Sequence, residues 1–129
     1  MYEQPGQAKA AVSGFLDNMR AMDREREGVQ ILSIYLRETP CRLSRLRRAL
    51  DSADRAGVDE ALHCMKGSAG ILGMRTLHRM LCEADAAAAD GDLDHVEKLW
   101  PKIEARQEEL LSMIVAAVEE IQSPVAWPA

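Results

Sequence analysis

Apolar side chains recur at steps of three and four residues along most of the chain, which is the spacing of one face of an amphipathic α-helix. The pattern divides into five helical stretches, which begin near Ala8, Val29 and Val58 and after Gly73 and Gly91. No stretch alternates apolar and polar residues at every second position, so β-strands are not predicted. The sequence therefore predicts an all-α protein.

Glycine and proline residues mark the predicted interruptions of these helices. Gly28 follows the charged run DRERE and is predicted to separate the first two helices. Pro40 lies within the second stretch and Pro101 within the last one. Because proline removes a helical hydrogen bond and its ring clashes with the preceding turn, each of them predicts a bend or a restart of the helix.

The single apolar stripe of each helix indicates how the helices pack. Helices that are joined by short turns can bury one stripe each in an antiparallel four-helix bundle with up-down-up-down order. The first helix is additional to this bundle, and it can pack on the bundle or pair with another copy of the chain. We therefore expect a flexible N-terminus over residues 1–7, a helical bundle domain over 8–122 and an irregular tail over 123–129, which contains Trp127.

The composition of the 129 residues argues against several classes of protein. A formal net charge of −5 and the lack of a basic block are unfavourable for nucleic-acid binding. The densest arginine cluster, at 42–48, alternates with leucines, which is typical of the solvated face of an amphipathic helix. No apolar run approaches the roughly 20 residues that cross a bilayer, and the N-terminal residues lack the pattern of a signal peptide. We expect no nucleic-acid or membrane partner.

The cysteines give an indication of the cellular compartment. Cys41, Cys64 and Cys82 are odd in number and show no Cys-x-x-Cys spacing, which argues against a disulfide framework and against a zinc site. Reduced thiols are typical of cytosolic proteins. We therefore expect a soluble, cytoplasmic protein.

The third helix contains the unusual stretch HCMKGSAGILG, residues 63–73. Glycine in a helix interior costs about 1 kcal/mol relative to alanine, and this stretch contains Gly67, Gly70 and Gly73. On a helical wheel the core stripe consists of Val58, Ala61, Leu62, Met65, Ala69 and Leu72. The residues that fall beside His63, away from this stripe, are Lys66, Gly67, Gly70 and Met74.

Two interpretations of this glycine-rich face are open. In the first, the glycines remove side chains beside an exposed imidazole so that a large partner can approach the helix backbone, and the lysine attracts a negative charge there. In the second, His63 is an ordinary surface residue and the glycines allow a neighbouring helix to pack closely. The full spacing of His63, Lys66, Gly67, Ser68 and Gly73 favours the first interpretation.

Residues 63–73 resemble the signature of histidine-containing phosphotransfer (HPt) domains. That signature runs His, two residues, Lys-Gly-Ser/Ala, and a Gly ten residues after the His. The resemblance covers about residues 26–121, because the leucine-rich helix before the motif and the segment ADGDLDHVEKLWPKIE after it are also typical. It implies a histidine phosphotransfer protein of a two-component phosphorelay.

The resemblance also implies a role for each motif residue. His63 would be phosphorylated on the ring nitrogen farther from the backbone, and Lys66 would neutralise the phosphoryl oxygens. Ser68 would orient the site by hydrogen bonding. Gly67 would leave room for the incoming receiver domain, and Gly73 would shape the end of the helix.

Apolar and small residues around the motif are candidates for contact with the partner. We expect Gly70 and Met74 to contribute to partner docking together with Gly67. Ile71 can contribute in the same way, although a position at the edge of the core is an equally good interpretation.

The mechanism expected of such a domain needs no cofactor bound by the domain itself. The neutral imidazole attacks the acyl phosphate of a receiver-domain aspartate and later passes the phosphoryl group to another aspartate. Expected partners are response-regulator receiver domains and a hybrid sensor histidine kinase. No metal site lies beside His63, so Mg²⁺ is expected to come with the receiver domain. The chain has no GxxxxGK[ST] loop, which predicts a carrier and not an enzyme with a nucleotide site.

Other functions and other site residues are weaker alternatives. The chain could be a non-phosphorylated HPt-like adaptor that regulates a receiver domain or a kinase by binding. The phosphoacceptor half of a histidine kinase fits less well, because Cys64 follows His63 where an acidic residue is usual. His78 and Cys82 are a weak metal pair, and Asp59 can orient the ring of His63 or simply be solvated.

Overall fold

The structure is a computed structural model that describes residues 6–122, and within this range it contains five α-helices and no strand. The helices are α1 (Gln7–Ala21), α2 (Glu25–Asp51), α3 (Arg55–Ile71), α4 (Arg75–Ala89) and α5 (Leu93–Gln122). The prediction of an all-α protein is confirmed. The predictions for residues 1–5 and for the tail over 123–129, with Trp127, lie outside the described residues.

Helices α2 to α5 contact one another in a closed order. Helix α2 packs on α3, α3 on α4, α4 on α5 and α5 on α2. Helix α1 packs on α2 and α5, and the side chains that it buries are Ala8, Val12, Leu16 and Met19. The structure therefore shows the first of the two alternatives for this helix, in which it packs on the rest of the chain. These contacts support the predicted bundle, while its up-down-up-down order stays a prediction.

The four connections between the helices use the same backbone turn. After α3, the amide of Met74 donates to the carbonyl of Ala69 and the amide of Gly73 to that of Gly70, each at 3.1 Å. This pair of bonds is a Schellman motif, which requires one residue in the left-handed conformation. In the four connections, the residue with this left-handed conformation has φ between 52° and 79°. These residues are Asp23, Ala53, Gly73 and Gly91. The predicted terminations at Gly73 and Gly91 are confirmed.

Neither of the two internal prolines ends a helix. Helix α2 continues through Pro40 and α5 through Pro101, so the predicted restarts are wrong, and the bends stay predictions. Both prolines are exposed, whereas apolar residues on each side of them, such as Leu32 and Leu46 in α2, are fully buried. Burying each such side chain contributes about 1.5–3 kcal/mol, which together exceeds the roughly 3 kcal/mol cost of an internal proline.

Gly28 has a packing role and does not break the chain. It lies inside α2, where it is buried beneath α1, and a Cβ atom placed on it would lie 2.9 Å from Cγ of Met19. The predicted break at Gly28 is therefore wrong, and the turn at Asp23 separates the helices instead. The absence of a side chain lets α1 approach the backbone of α2 closely.

A buried polar pair joins α2 to α5. The hydroxyl of Tyr35 donates to Oε1 of Gln107 at 2.5 Å, and both residues are buried. Burial raises the pKa of Tyr35 to about 12. Since a buried amide without a partner would cost about 1–3 kcal/mol, this bond constrains how the two helices are placed relative to each other.

Candidate functional site

Helix α3 presents His63 to solvent on the side opposite to its core face. The carboxylate of Asp54 accepts the amide of Gly57 at 3.1 Å and so caps the start of the helix. The buried side of α3 consists of Val58, Ala61, Leu62, Met65 and Ala69, as the wheel predicts. His63 lies outside this stripe and is exposed. A docked protein could therefore reach its imidazole without any change in the fold.

Bare backbone lies next to His63 on the same face. Gly67 follows His63 by four residues, which makes them neighbours on the helix surface. A Cβ atom placed on Gly67 would have no heavy atom within 4 Å, so the space above it is open. Ile71 follows four residues later with 65% of its surface exposed. For Ile71, the interpretation as a core-edge residue is therefore wrong.

Lys66 is held by a carboxylate from the neighbouring helix. Its Nζ atom lies 2.8 Å from Oδ2 of Asp85 on α4, and the two side chains are 30% and 25% exposed. The hydrogen bond and the charge of Asp85 raise the pKa of Lys66. Lys66 follows His63 by three residues, so this ion pair borders the imidazole on the helix surface.

Asp85 is a site residue that the sequence did not indicate. It lies 19 residues after Lys66 in a different helix, amid the alanine-rich segment ADAAAAD. Only the packing of α3 on α4 brings the two charges together. Acidic residues in α4 were a possible signal, but their spacing alone does not show which of them faces Lys66.

Ser68 contacts α2 and lies apart from His63. Its hydroxyl accepts from Nη1 of Arg42 at 2.9 Å and donates to the carbonyl of Cys64 at 3.2 Å. A separation of five residues from His63 corresponds to about 140° around the helix. An orienting role of Ser68 stays a prediction, and these contacts would make it act through the α2–α3 interface.

Met74 does not belong to the exposed face. It is 1% exposed, so the prediction that it contributes to partner docking is wrong. The physical reason is that α3 ends at Ile71 and the left-handed turn at Gly73 redirects the chain. A helical wheel continues α3 through this turn, whereas a Schellman motif buries the residue after its glycine against the preceding helix.

Gly70 fits neither of the two interpretations of the glycines completely. It is exposed, but a Cβ atom placed on it would lie 3.5 Å from Cδ2 of His78 on α4. This is an ordinary contact distance, so His78 lies beside Gly70 without requiring a glycine there. The partner-docking role of Gly70 stays a prediction.

The remaining histidines and cysteines form no larger ligand cluster in the described part of the chain. His78 Nδ1 lies 3.7 Å from Sγ of Cys82, and His95 Nε2 lies 2.7 Å from the carboxylate of Glu83. Over residues 6–122 there is no group of three or more His, Cys, Asp or Glu side chains placed to hold a metal ion. None of the helices in this range is both long and apolar enough to span a bilayer.

Comparison with known proteins identifies the family. The family model of the Hpt domain matches residues 30–121, which is most of the chain and contains α3 with its exposed histidine. No curated protein and no solved structure gave a significant match. Hpt domains are phosphocarrier modules with a histidine phosphotransfer role in two-component signalling. The motif, the fold and this match lead to one conclusion: the chain belongs to the Hpt domain family.

Proposed function

We propose that the protein is a phosphorelay intermediate in which His63 accepts a phosphoryl group from a receiver-domain aspartate and passes it to another receiver. The observation that carries this proposal is the exposed imidazole of His63 beside the open backbone of Gly67. His78 is half-buried against α3 and His95 is paired with Glu83, so neither offers a comparable approach.

The transfer requires only positioning and charge stabilisation from this domain. A bond forms between Nε2 of His63 and phosphorus while the bond from phosphorus to the aspartate oxygen breaks, and the carboxylate leaves with the electron pair. Lys66, three residues away, donates to the phosphoryl oxygens and offsets their charge. Mg²⁺ comes with the acidic pocket of the receiver domain. The protein would thus be a carrier that mediates transfer and not a kinase. Its free cysteines Cys41, Cys64 and Cys82 support a cytoplasmic location.

An apolar surface about two turns along α3 from His63 is suited to holding the receiver domain. Ile31 and Ile34 of α2 line one small surface pocket with Ile71 of α3, and they are 36%, 47% and 65% exposed. Ile71 belongs to the same row of the helix surface as Gly67 and His63. An apolar face of the receiver on this pocket would place its aspartyl phosphate near the imidazole, because Gly67 leaves the space between them open.

The direct test is transfer of labelled phosphate from a phosphorylated receiver domain. We expect an acid-labile, base-stable label on the wild-type protein and none on the His63→Gln variant. The variants His78→Gln and His95→Gln are matched controls that should label normally. A label that persists in His63→Gln would reject His63 as the acceptor. If no receiver labels the wild-type protein but one binds it, the chain is instead a non-phosphorylated adaptor.

The upstream donor can be tested in the same way. We propose that the donor is the receiver part of a hybrid sensor histidine kinase, because such a kinase supplies an aspartyl phosphate of the kind that His63 would attack. A screen against the receiver domains of the organism should show one donor and one acceptor that transfer much faster than the others. Equal rates for all receivers would argue against a dedicated relay.

A further inference from the structure

We propose that Asp85 competes with the phosphoryl group for the ammonium of Lys66 and thereby lowers the equilibrium fraction of phosphorylated His63. This inference rests on the proposed function, since it concerns the stability of the phosphohistidine. It assigns to α4 a role in setting how readily the domain gives up its phosphoryl group.

The geometry of the pair carries the argument. Nζ of Lys66 lies 2.8 Å from Oδ2 of Asp85, and about three quarters of the carboxylate side chain is removed from solvent. The two residues come from different helices, so the pair is set by the packing of α3 on α4. The pKa of Lys66 is raised mainly by this hydrogen bond, which agrees with a carboxylate that is already engaged with the ammonium. Before phosphorylation the charge of Lys66 is thus largely compensated.

Phosphorylation of His63 introduces a second anion next to the same cation. A phosphoryl group carries up to about two negative charges and three acceptor oxygens at neutral pH. Residues three apart on a helix are surface neighbours, so Lys66 can reach this group. An ammonium has three donors, but its single charge must be shared between the phosphoryl group and Asp85. The carboxylate therefore makes the phosphorylated state less stable than it would be beside a neutral residue.

The consequence is a phosphohistidine that transfers easily in both directions. A carrier that bound its phosphoryl group too firmly would retain it and stop the relay. Ion pairs between partly exposed side chains change an equilibrium constant by at most about fivefold. We therefore expect Asp85 to lower the phosphorylated fraction by about two- to fivefold.

The test compares equilibrium phosphorylation in mixtures with one receiver domain. In Asp85→Asn the ratio of phosphohistidine to aspartyl phosphate should rise about two- to fivefold, while Asp85→Glu, which keeps the charge, should lie near the wild-type ratio. Glu83→Gln is the matched control, since it removes one paired carboxylate from the same helix without touching Lys66. Added salt should reduce the difference between Asp85→Asn and wild type, because it screens exposed charges.

Two results of this test would overturn the inference. One is an unchanged or lowered ratio in Asp85→Asn. The other is a rise of the same size when Asp85→Asn is made in a Lys66→Met background, because the carboxylate would then not act through Lys66.

A second measurement separates this inference from the proposed function. If no receiver transfers phosphate to the wild-type protein, the proposed function fails, yet phosphoramidate can still phosphorylate His63 chemically. The equilibrium ratio of phosphorylated to free His63 in a buffer of fixed phosphoramidate and ammonia concentrations should be higher in Asp85→Asn than in wild type, because the released ammonium stabilises the phosphorylated state. An equal or lower ratio would reject the role of Asp85 independently of any receiver.

Discussion

Alanine at Gly67 should make the protein more stable and a poorer phosphotransfer partner. The added methyl group would meet no heavy atom within 4 Å, so nothing in the domain opposes it. Alanine is favoured over glycine in a helix by about 0.8–1 kcal/mol, which for a chain of this size raises Tm by roughly 3–5 °C. The same methyl group would project into the space through which a receiver reaches His63. Overpacking at a close interface costs about 1–3 kcal/mol, equivalent to roughly 5- to 150-fold in kcat/KM for transfer.

The two effects can be separated by a matched control in α1. Gly14 also lies inside an exposed helix surface, and a Cβ atom placed on it would likewise have no neighbour within 4 Å. Gly14→Ala should therefore raise Tm by a similar amount and leave transfer unchanged. Thermal unfolding by circular dichroism and the rate of transfer from a phosphorylated receiver measure the two quantities. The reasoning is refuted if Gly67→Leu, with its larger side chain, transfers at the wild-type rate, or if Gly14→Ala slows transfer as much as Gly67→Ala does.

Three further predictions concern the core, the docking surface and the buried tyrosine. Met74→Ala should destabilise the fold by about 2–5 kcal/mol in denaturant unfolding because Met74 is 1% exposed, while Met22→Ala, at a residue 58% exposed, should change stability by less than about 0.5 kcal/mol. Ile34→Glu should raise the KM for a receiver by about tenfold with little change in stability. Val115→Glu on α5, a site of similar exposure, should leave this KM unchanged. Equal KM values for the two variants would contradict docking of the receiver at the pocket lined by Ile31, Ile34 and Ile71. Burial raises the pKa of Tyr35 to about 12, so its neutral hydroxyl is favoured in the folded protein. The resulting contribution to the free energy of unfolding is fully present below about pH 10 and is lost as the pH rises to 12. The total loss is roughly 3 kcal/mol. Unfolding free energies of Tyr35→Phe should lack this loss, and an identical pH dependence in both proteins would show that Tyr35 does not cause it.

Local features of the sequence determined which segments form helices and which histidine is the candidate phosphoacceptor. The apolar stripe of α3 places His63 on the opposite face, because helical periodicity depends only on the order of residues. Gly73 and Gly91 were recognised as helix ends, because a left-handed residue strongly favours glycine. The spacing of His63, Lys66 and Gly67 indicated an imidazole open to a partner beside a lysine suited to an anion. The resemblance of this spacing to the HPt signature implied phosphotransfer, and the family match agrees with it.

The tertiary structure decided the features that depend on contacts between helices. Pro40 was predicted to interrupt α2, but the burial of residues on both sides keeps the helix continuous. Met74 was placed on the docking face by a wheel that could not include the turn at Gly73. Asp85 became a site residue only because α4 packs on α3 and sets its carboxylate 2.8 Å from Lys66. Periodicity describes one helix at a time, whereas burial and ion pairing depend on which helices meet and at what level along their axes.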